Sequence, residues 1–281
     1  RRERFQNGAL DDREIETMRI LIAAPQDSHS NLYLERTFKA LGHQVEQFDY
    51  RTLYVTRGDA AMEHMFEQRA KAADFTLILK GEVFKPSTLR DTHPCVLWNF
   101  DMWYADATGL KAQADSVDYF LTPSKGVFQN GIYLPEAADP GLHHPTLYDA
   151  ELAADVSFIG TVADIPGRDG WLENVGKWCD AHERVLKIYG SFPGERSRRW
   201  HAGRRAAPND PSTAYSSPPW IQGTEDSVHN TIVSSSKIVL DRQRNPEIEG
   251  AVSARVFRVL AANGFLLMRH CEGQEDLLGL K

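Results

Sequence analysis

The chain has 281 residues, enough to bury a sizeable core and to divide into two domains of ordinary size. Its 32 Lys and Arg stand against 39 Asp and Glu, and the net charge of -7 excludes a general polyanion-binding surface while leaving room for a local basic groove. Cys95, Cys179 and Cys271 lie far apart without metal-ligand spacing, and no run approaches the roughly 18 apolar residues of a membrane span. With a polar lead-in that lacks a signal-peptide core, the expectation is a cytoplasmic protein without disulfides.

Residues 1–17 are charged and aperiodic, and 18–24 form an apolar run of strand length followed by the loop 25–30. Residues 31–41 place Leu32, Leu34, Phe38 and Leu41 near one helical face, and Gly42 ends the helix. Strands are predicted at 45–50, 75–79, 96–100, 117–121 and 131–134, with a helix at 60–73. Strand and helix in alternation predict an α/β fold with a parallel sheet and right-handed crossovers. Residues 135–154 contain Pro135, Pro140, Gly141 and Pro145 and read as an interdomain linker, so the expected domains are 18–140 and 155–281.

A second alternating set follows: strand 156–160, helix 171–182, strand 185–190, helix 228–235 and strand 238–240. Residues 253–262 then form a strongly amphipathic helix, Asn263-Gly264 stops it with Gly264 as the left-handed cap, and 265–268 is a buried strand. Between these, 191–220 breaks the rhythm with Pro, Ser, Gly and five arginines (Arg196, Arg198, Arg199, Arg204 and Arg205), as a loop or insertion does. After 275–278 a Rossmann-like domain calls for more strands and a closing helix, so the second domain is expected to be short at its C-terminus.

Open α/β sheets bind ligands at the carboxyl ends of their strands. Ser253 as N-cap, with Arg255 beside the positive helix end, makes an anion site, although such a helix–Gly–strand unit also serves as plain scaffold. Gly160-Thr161 leaves a strand, and Arg168 follows close behind, where a small residue admits a phosphate to the backbone and a guanidinium neutralises it; an ordinary turn with a surface Arg fits equally. Lys237 precedes a strand and is expected beside Arg255, and Tyr189-Gly190 ends another strand as a candidate base or ribose wall. Among candidate bases, Asp27 and His29 lie in the loop after the first strand, and Asp101 follows a strand amid Trp98, Phe100 and Trp103. His143-His144 lack a third ligand and read as linker surface, and no metal site is expected.

The stretch Ser253-Ala254-Arg255-Val256-Phe257, with Leu260-Ala261 and Gly264-Phe265-Leu266-Leu267 behind it and Ser236-Lys237-Ile238-Val239-Leu240-Asp241 before it, resembles the nucleotide-sugar half of CgeB-like (spore-maturation type) glycosyltransferases of the GT-B fold. The segments 31–36 with 39–43, Tyr133-Leu134-Pro135-Glu136-Ala137-Ala138-Asp139-Pro140, and Asp155-Val156-Ser157-Phe158-Ile159-Gly160-Thr161 resemble the family's first helix and turn, its crossover and its second opening strand. The likeness spans most of 18–280 in order. It implies two Rossmann-like domains facing a central cleft, with the donor held by the second and the acceptor by the first. The implied activity moves a sugar from a nucleotide diphosphate sugar, UDP-sugar first, to a hydroxyl acceptor: a small molecule, glycan, protein or modified DNA. No Asp-x-Asp motif of the other glycosyltransferase fold occurs, which fits chemistry without metal or other cofactor.

One position departs from the family. Arg258 stands where related chains place a Glu that accepts from the donor ribose, and an Arg cannot accept. Asp241 or Glu249 would have to substitute, or the site has decayed into a binding module. A third possibility, glycosylation of a hydroxylated DNA base, draws on the five-Arg segment. As a helix-end cation, Arg255 is expected to matter for a diphosphate and little for the melting of the free protein.

Overall fold

The computed structural model describes residues 16–25, 29–100, 108–160, 167–189, 225–243 and 248–279. The first elements are β1 (Arg19–Ala23), α1 (His29–Ala40), β2 (Gln44–Phe48), α2 (Tyr50–Arg57), α3 (Asp59–Ala72), β3 (Phe75–Leu79), α4 (Pro86–Arg90), β4 (Cys95–Trp98), α5 (Thr108–Ala114), β5 (Tyr119–Thr122) and β6 (Gly131–Tyr133). They build a six-stranded sheet in the order β2-β1-β3-β4-β5-β6. β1 pairs in parallel with β2 and β3, β3 with β4, and β4 with β5. Ile20, Ile22, Leu77, Leu79, Val96 and Trp98 fill one face of it, and Leu34 and Phe38 of α1 close over them. Both faces of a parallel sheet are covered, which is why β1 and β3 read as largely apolar runs.

The expected strand 45–50 stops two residues early. Asp49 accepts a hydrogen bond from the Thr52 N–H at 3.1 Å and so caps α2, a helix absent from the sequence prediction. Tyr50 thereby turns inward, fully buried, with its hydroxyl 2.9 Å from Leu79 O and 2.6 Å from Glu82 Oε2. The short helices α4 and α5 were likewise outside the prediction, since five and seven residues carry too little periodicity to show.

The second set is β7 (Ala154–Ile159), α6 (Arg168–Ala181), β8 (Leu186–Tyr189), α7 (Glu225–Ser234), β9 (Ser236–Asp241), α8 (Ala254–Ala261), β10 (Leu266–Met268) and α9 (Gln274–Leu278). Its sheet has the order β10-β9-β7-β8 with every pairing parallel. Leu172 and Cys179 of α6 pack on Phe158, Ile188 and Leu240 of one face. On the other, Val233 of α7 and Val259 and Ala262 around α8 pack on Val239. Burying each such side chain contributes about 1.5–3 kcal/mol, so this small sheet is held from both sides.

Asn263, not Gly264, takes the left-handed position after α8, at φ 58. Gly264 is needed for room instead, since a Cβ there would run into Val233 and Val259. The chain separates into two compact units, with the change of unit falling at 122–133 rather than at the expected 140–155. Residues 133–153 belong to the second unit because they are fastened to it: Asn230 Nδ2 donates to Leu142 O at 2.6 Å and the Thr146 N–H to Ser234 Oγ at 3.0 Å. His143, expected on a linker surface, is 1 % exposed and meets His229 edge to face at 6.3 Å.

Candidate functional site

In the second sheet the chain runs from β7 outward to β8, then crosses to β9 on the other side of β7. The strand order therefore reverses between β7 and β9, and the carboxyl ends of the strands at such a point are where α/β sheets take their ligands. Gly160 leaves β7 at that point, Asp241 ends β9, and Arg255 lies in the first turn of α8. The fold brings all three together.

Arg255 Nη1 donates to Asp241 Oδ1, and its guanidinium lies 5.1 Å from the Phe158 ring centre. The Asp241 side chain is 0 % exposed and that of Arg255 18 %. Such a carboxylate cannot stay ionised in the interior without partners, and it has a second in Gln243 Nε2, which donates to Asp241 Oδ2. Gln243 Oε1 accepts from the Ser253 N–H at 3.1 Å, so β9 and the start of α8 are locked through a side-chain chain. Arg255 reaches Gly160 from above: a Cβ there would collide with Nη2, and the φ of 147° is one that side chains avoid. The Gly160 N–H is held by Tyr189 O at 2.8 Å. A planar fork donor pinned by a buried carboxylate beside bare backbone is built to grip an oxyanion such as a phosphate.

Ser253 is the N-cap residue of α8 by backbone conformation, yet its side chain makes no cap bond. The Ala254 N–H instead donates to Glu136 Oε2 at 3.1 Å, a carboxylate from the crossover 118 residues earlier. Nearby, Arg242 donates to Gly167 O and stacks over Trp171 at 5.8 Å, tying the end of β9 to the start of α6. A cavity of about 720 Å³ opens on the α6 face of β9 and β10, walled by Trp171, Val175, Trp178, Ile238 and Leu267. Asp241, Arg242, Asn174 and Arg269 also line it, and the rest of its wall is apolar.

The structure thus brings Gly160, Ser253 and Arg255 together and corrects two other expectations. Lys237 lies inside β9 at its amino end, because the strand begins at Ser236; it is exposed and bonded to Asp155 Oδ1 at 2.6 Å. Its ammonium holds the Asp155 carboxyl below the usual range, a clamp at the end of the sheet away from Arg255. Tyr189 is 1 % exposed and its hydroxyl donates to Leu152 O at 3.1 Å, so it is core and serves Gly160 only through its carbonyl. Burial pushes its phenol well above the ordinary value.

Arg168 opens α6 and His29 opens α1 rather than lying in the loop, with the side chains of both outside the described part. Asp27, Asp101, Thr161, Gly190 and the five-Arg segment fall outside the described residues. Gln243 and Glu136 as partners of this site were not predicted. Asp241 was expected only as a substitute ribose acceptor; it is instead buried with one oxygen on Arg255 and the other on Gln243, while Glu249, the other substitute, pairs with Lys125 at 2.9 Å. Among the described residues no group of three or more His, Cys, Asp or Glu is placed to hold a metal ion, and no helix is long and apolar enough to cross a membrane.

No family model and no curated protein sequence matches the chain. Solved structures do. An alpha-glucosyltransferase in complex with UDP and a 13-mer DNA containing a central A:G mismatch superposes with a TM-score of 0.59 at 12 % identity, covering 90 % of this chain and 79 % of its own. AviGT4, a glycosyltransferase involved in avilamycin A biosynthesis, gives 0.56 at 10 % identity over 93 % and 81 %. HepE of Anabaena, in complex with UDP and glucose, gives 0.54 at 11 % over 92 % and 83 %. Identity this low speaks to the fold alone: the chain has two parallel, Rossmann-like α/β domains, and its structural neighbours include GT-B glycosyltransferases and a protein assigned as a UDP-N-acetylglucosamine 2-epimerase.

Proposed function

We propose that this chain is a glycosyltransferase that moves a sugar from a nucleoside diphosphate sugar, a UDP-sugar first among them, to a hydroxyl acceptor. The observation that carries this reading is the Arg255 guanidinium, pinned by buried Asp241 over bare Gly160 at the reversal point of the second sheet. Two of the similar folds were solved with UDP, which supports the choice of donor. The donor's anomeric C–O bond breaks, the diphosphate oxygen takes the electron pair, and Arg255 meets the growing charge. The acceptor hydroxyl bonds to the anomeric carbon and gives its proton to a base, for which Asp101, His29 and Asp27 are the candidates. The resemblance to CgeB-like enzymes belongs to this proposal, as do the metal-independent route and a cytoplasmic setting. DNA as acceptor is the second reading: the five-Arg segment and the DNA-bound neighbour both favour it.

A thermal-shift panel of nucleotides and nucleotide sugars tests the donor half, because a ligand of the native state raises its melting temperature by mass action. A shift with UDP and UDP-sugars that is lost in Arg255→Ala is the expected result. No shift with any nucleotide or nucleotide sugar would overturn the proposal. Release of UDP on adding hydroxymethylated DNA, glycans or small hydroxyl compounds then sorts the acceptors.

A further inference from the structure

Beyond the donor site, we propose that the second unit holds a binding site for a small anionic amphiphile, its apolar body in the cavity between α6 and strands β9 and β10 and its head at Arg242 and Arg269. The cavity measures about 720 Å³, within the roughly 300–1,000 Å³ of small-molecule sites. Its opening follows from the packing. Leu172 and Cys179 of α6 lie against Phe158 and Ile188 of β7 and β8, while β9 and β10 carry the sheet on to the other side of β7. On β10, Leu266 and Met268 pack with the residues around α8, so Leu267, of opposite parity, faces the α6 side. It is 53 % exposed there, and Trp178 of α6, in the same wall, is 54 % exposed. Trp178 stacks on His182 at 4.2 Å, which fixes that wall. Large apolar side chains left half open in one concave wall are covered favourably by the apolar body of a ligand.

The charge of the rim selects the head. β9 and β10 run parallel with Met268 in register with Asp241, so Arg242 and Arg269 leave the carboxyl ends of neighbouring strands side by side. Asp241 is the one carboxylate lining the cavity, and its two oxygens are taken by Arg255 and Gln243. Arg242 is positioned by Gly167 O and the Trp171 ring. Arg269 is exposed and has no ion partner among the described residues. Guanidiniums at neighbouring positions repel each other; a carboxylate or phosphate between them removes the repulsion and matches their fork donors. An apolar wall with a cationic rim therefore favours an anionic amphiphile over a neutral or cationic one.

Calorimetry with decanoate, decanol and decyltrimethylammonium separates body from head, because the three share a chain and differ in charge. The full chain is compared with Arg269→Gln, at an exposed position, and with Leu267→Trp, which puts a larger ring into the cavity from a half-open position. Decanoate is expected to bind once per chain and at least about fivefold tighter than decanol, the solvent-screened share of a charge-assisted bond, with decyltrimethylammonium weakest. Arg269→Gln should remove most of that preference and leave decanol within about twofold. Leu267→Trp should weaken decanoate at least about tenfold by filling the space its chain occupies. Decanoate that fails to bind, binds no better than decanol, or binds Leu267→Trp as it binds the parent would overturn the proposal. A chain that sediments as a dimer, becomes a monomer in Leu267→Trp and ignores decanoate would give this face to a second copy instead. If Leu267→Trp melts early, the loss of head preference in Arg269→Gln decides alone. None of these results depends on whether the chain binds a nucleotide.

Discussion

Replacing Arg255 by Ala tests how the site is held together. The side chain of Asp241 is 0 % exposed, and its ion partner is Arg255. Removing one partner of a buried pair costs about 3–5 kcal/mol, because the remaining charge has neither solvent nor counter-charge. Gln243 Nε2 stays on Asp241 Oδ2 and offsets about 1 kcal/mol of this, while the lost contact with Phe158 adds about 0.5–1 kcal/mol. The net expectation is a loss of roughly 2.5–5 kcal/mol. In a unit of this size that lowers the melting temperature by roughly 5–20 °C. Adding Asp241→Asn should return at least about half of the loss, since the amide needs no cation. Urea unfolding of the three variants, together with UDP calorimetry, reads both consequences. UDP affinity should fall roughly ten- to a hundredfold in Arg255→Ala, the worth of a charge-assisted bond. An Arg255→Ala protein as stable as the parent, or one no less stable than its Asp241→Asn double, would refute the buried-pair reasoning. It would restore the sequence-based picture of an exposed helix-end cation.

Gly160→Ala forces a Cβ against Arg255 at a φ of 147°, which should cost about 1–3 kcal/mol and weaken UDP about tenfold; a variant with unchanged melting and UDP affinity would contradict that packing. Of Asp101, His29 and Asp27, replacing the true base should lower turnover about a hundredfold or more while UDP binding survives, and full turnover in all three single variants would place the base elsewhere. His93 donates to Asp118 at 2.9 Å, and that bond raises the imidazole above its ordinary 6.5. The stabilisation is therefore complete below the unfolded value and is lost as pH rises through the folded one. An NMR titration should show the His93 midpoint drop in Asp118→Asn, and an unmoved midpoint would remove Asp118 as the cause.

The alternation of apolar strands with amphipathic helices was legible because the central parallel strands are buried on both faces and each helix on one, so composition marks them. β1, β3, β7, β9 and α8 all fall within two residues of where the residues placed them. Turns and caps were less legible. Asp49 ends β2 and starts α2 through one hydrogen bond to Thr52, and no periodicity announces such a bond. The carboxyl-end rule also singled out Gly160 and Arg255, because a small residue after a strand and a cation at a helix start are local facts. It misplaced Lys237 because a strand's first residue decides which end of the sheet a side chain occupies, and the strand began two residues earlier than its apolar run. Asp241, Gln243 and Glu136 became part of the site only through folding. Glu136 meets Ala254 across 118 residues and Gln243 meets Ser253 across 10. The sequence by itself therefore determined the two α/β units and the cation of the site. The tertiary structure alone decided which carboxylates stand against that cation, since such pairing depends on strand order and on where the crossover packs.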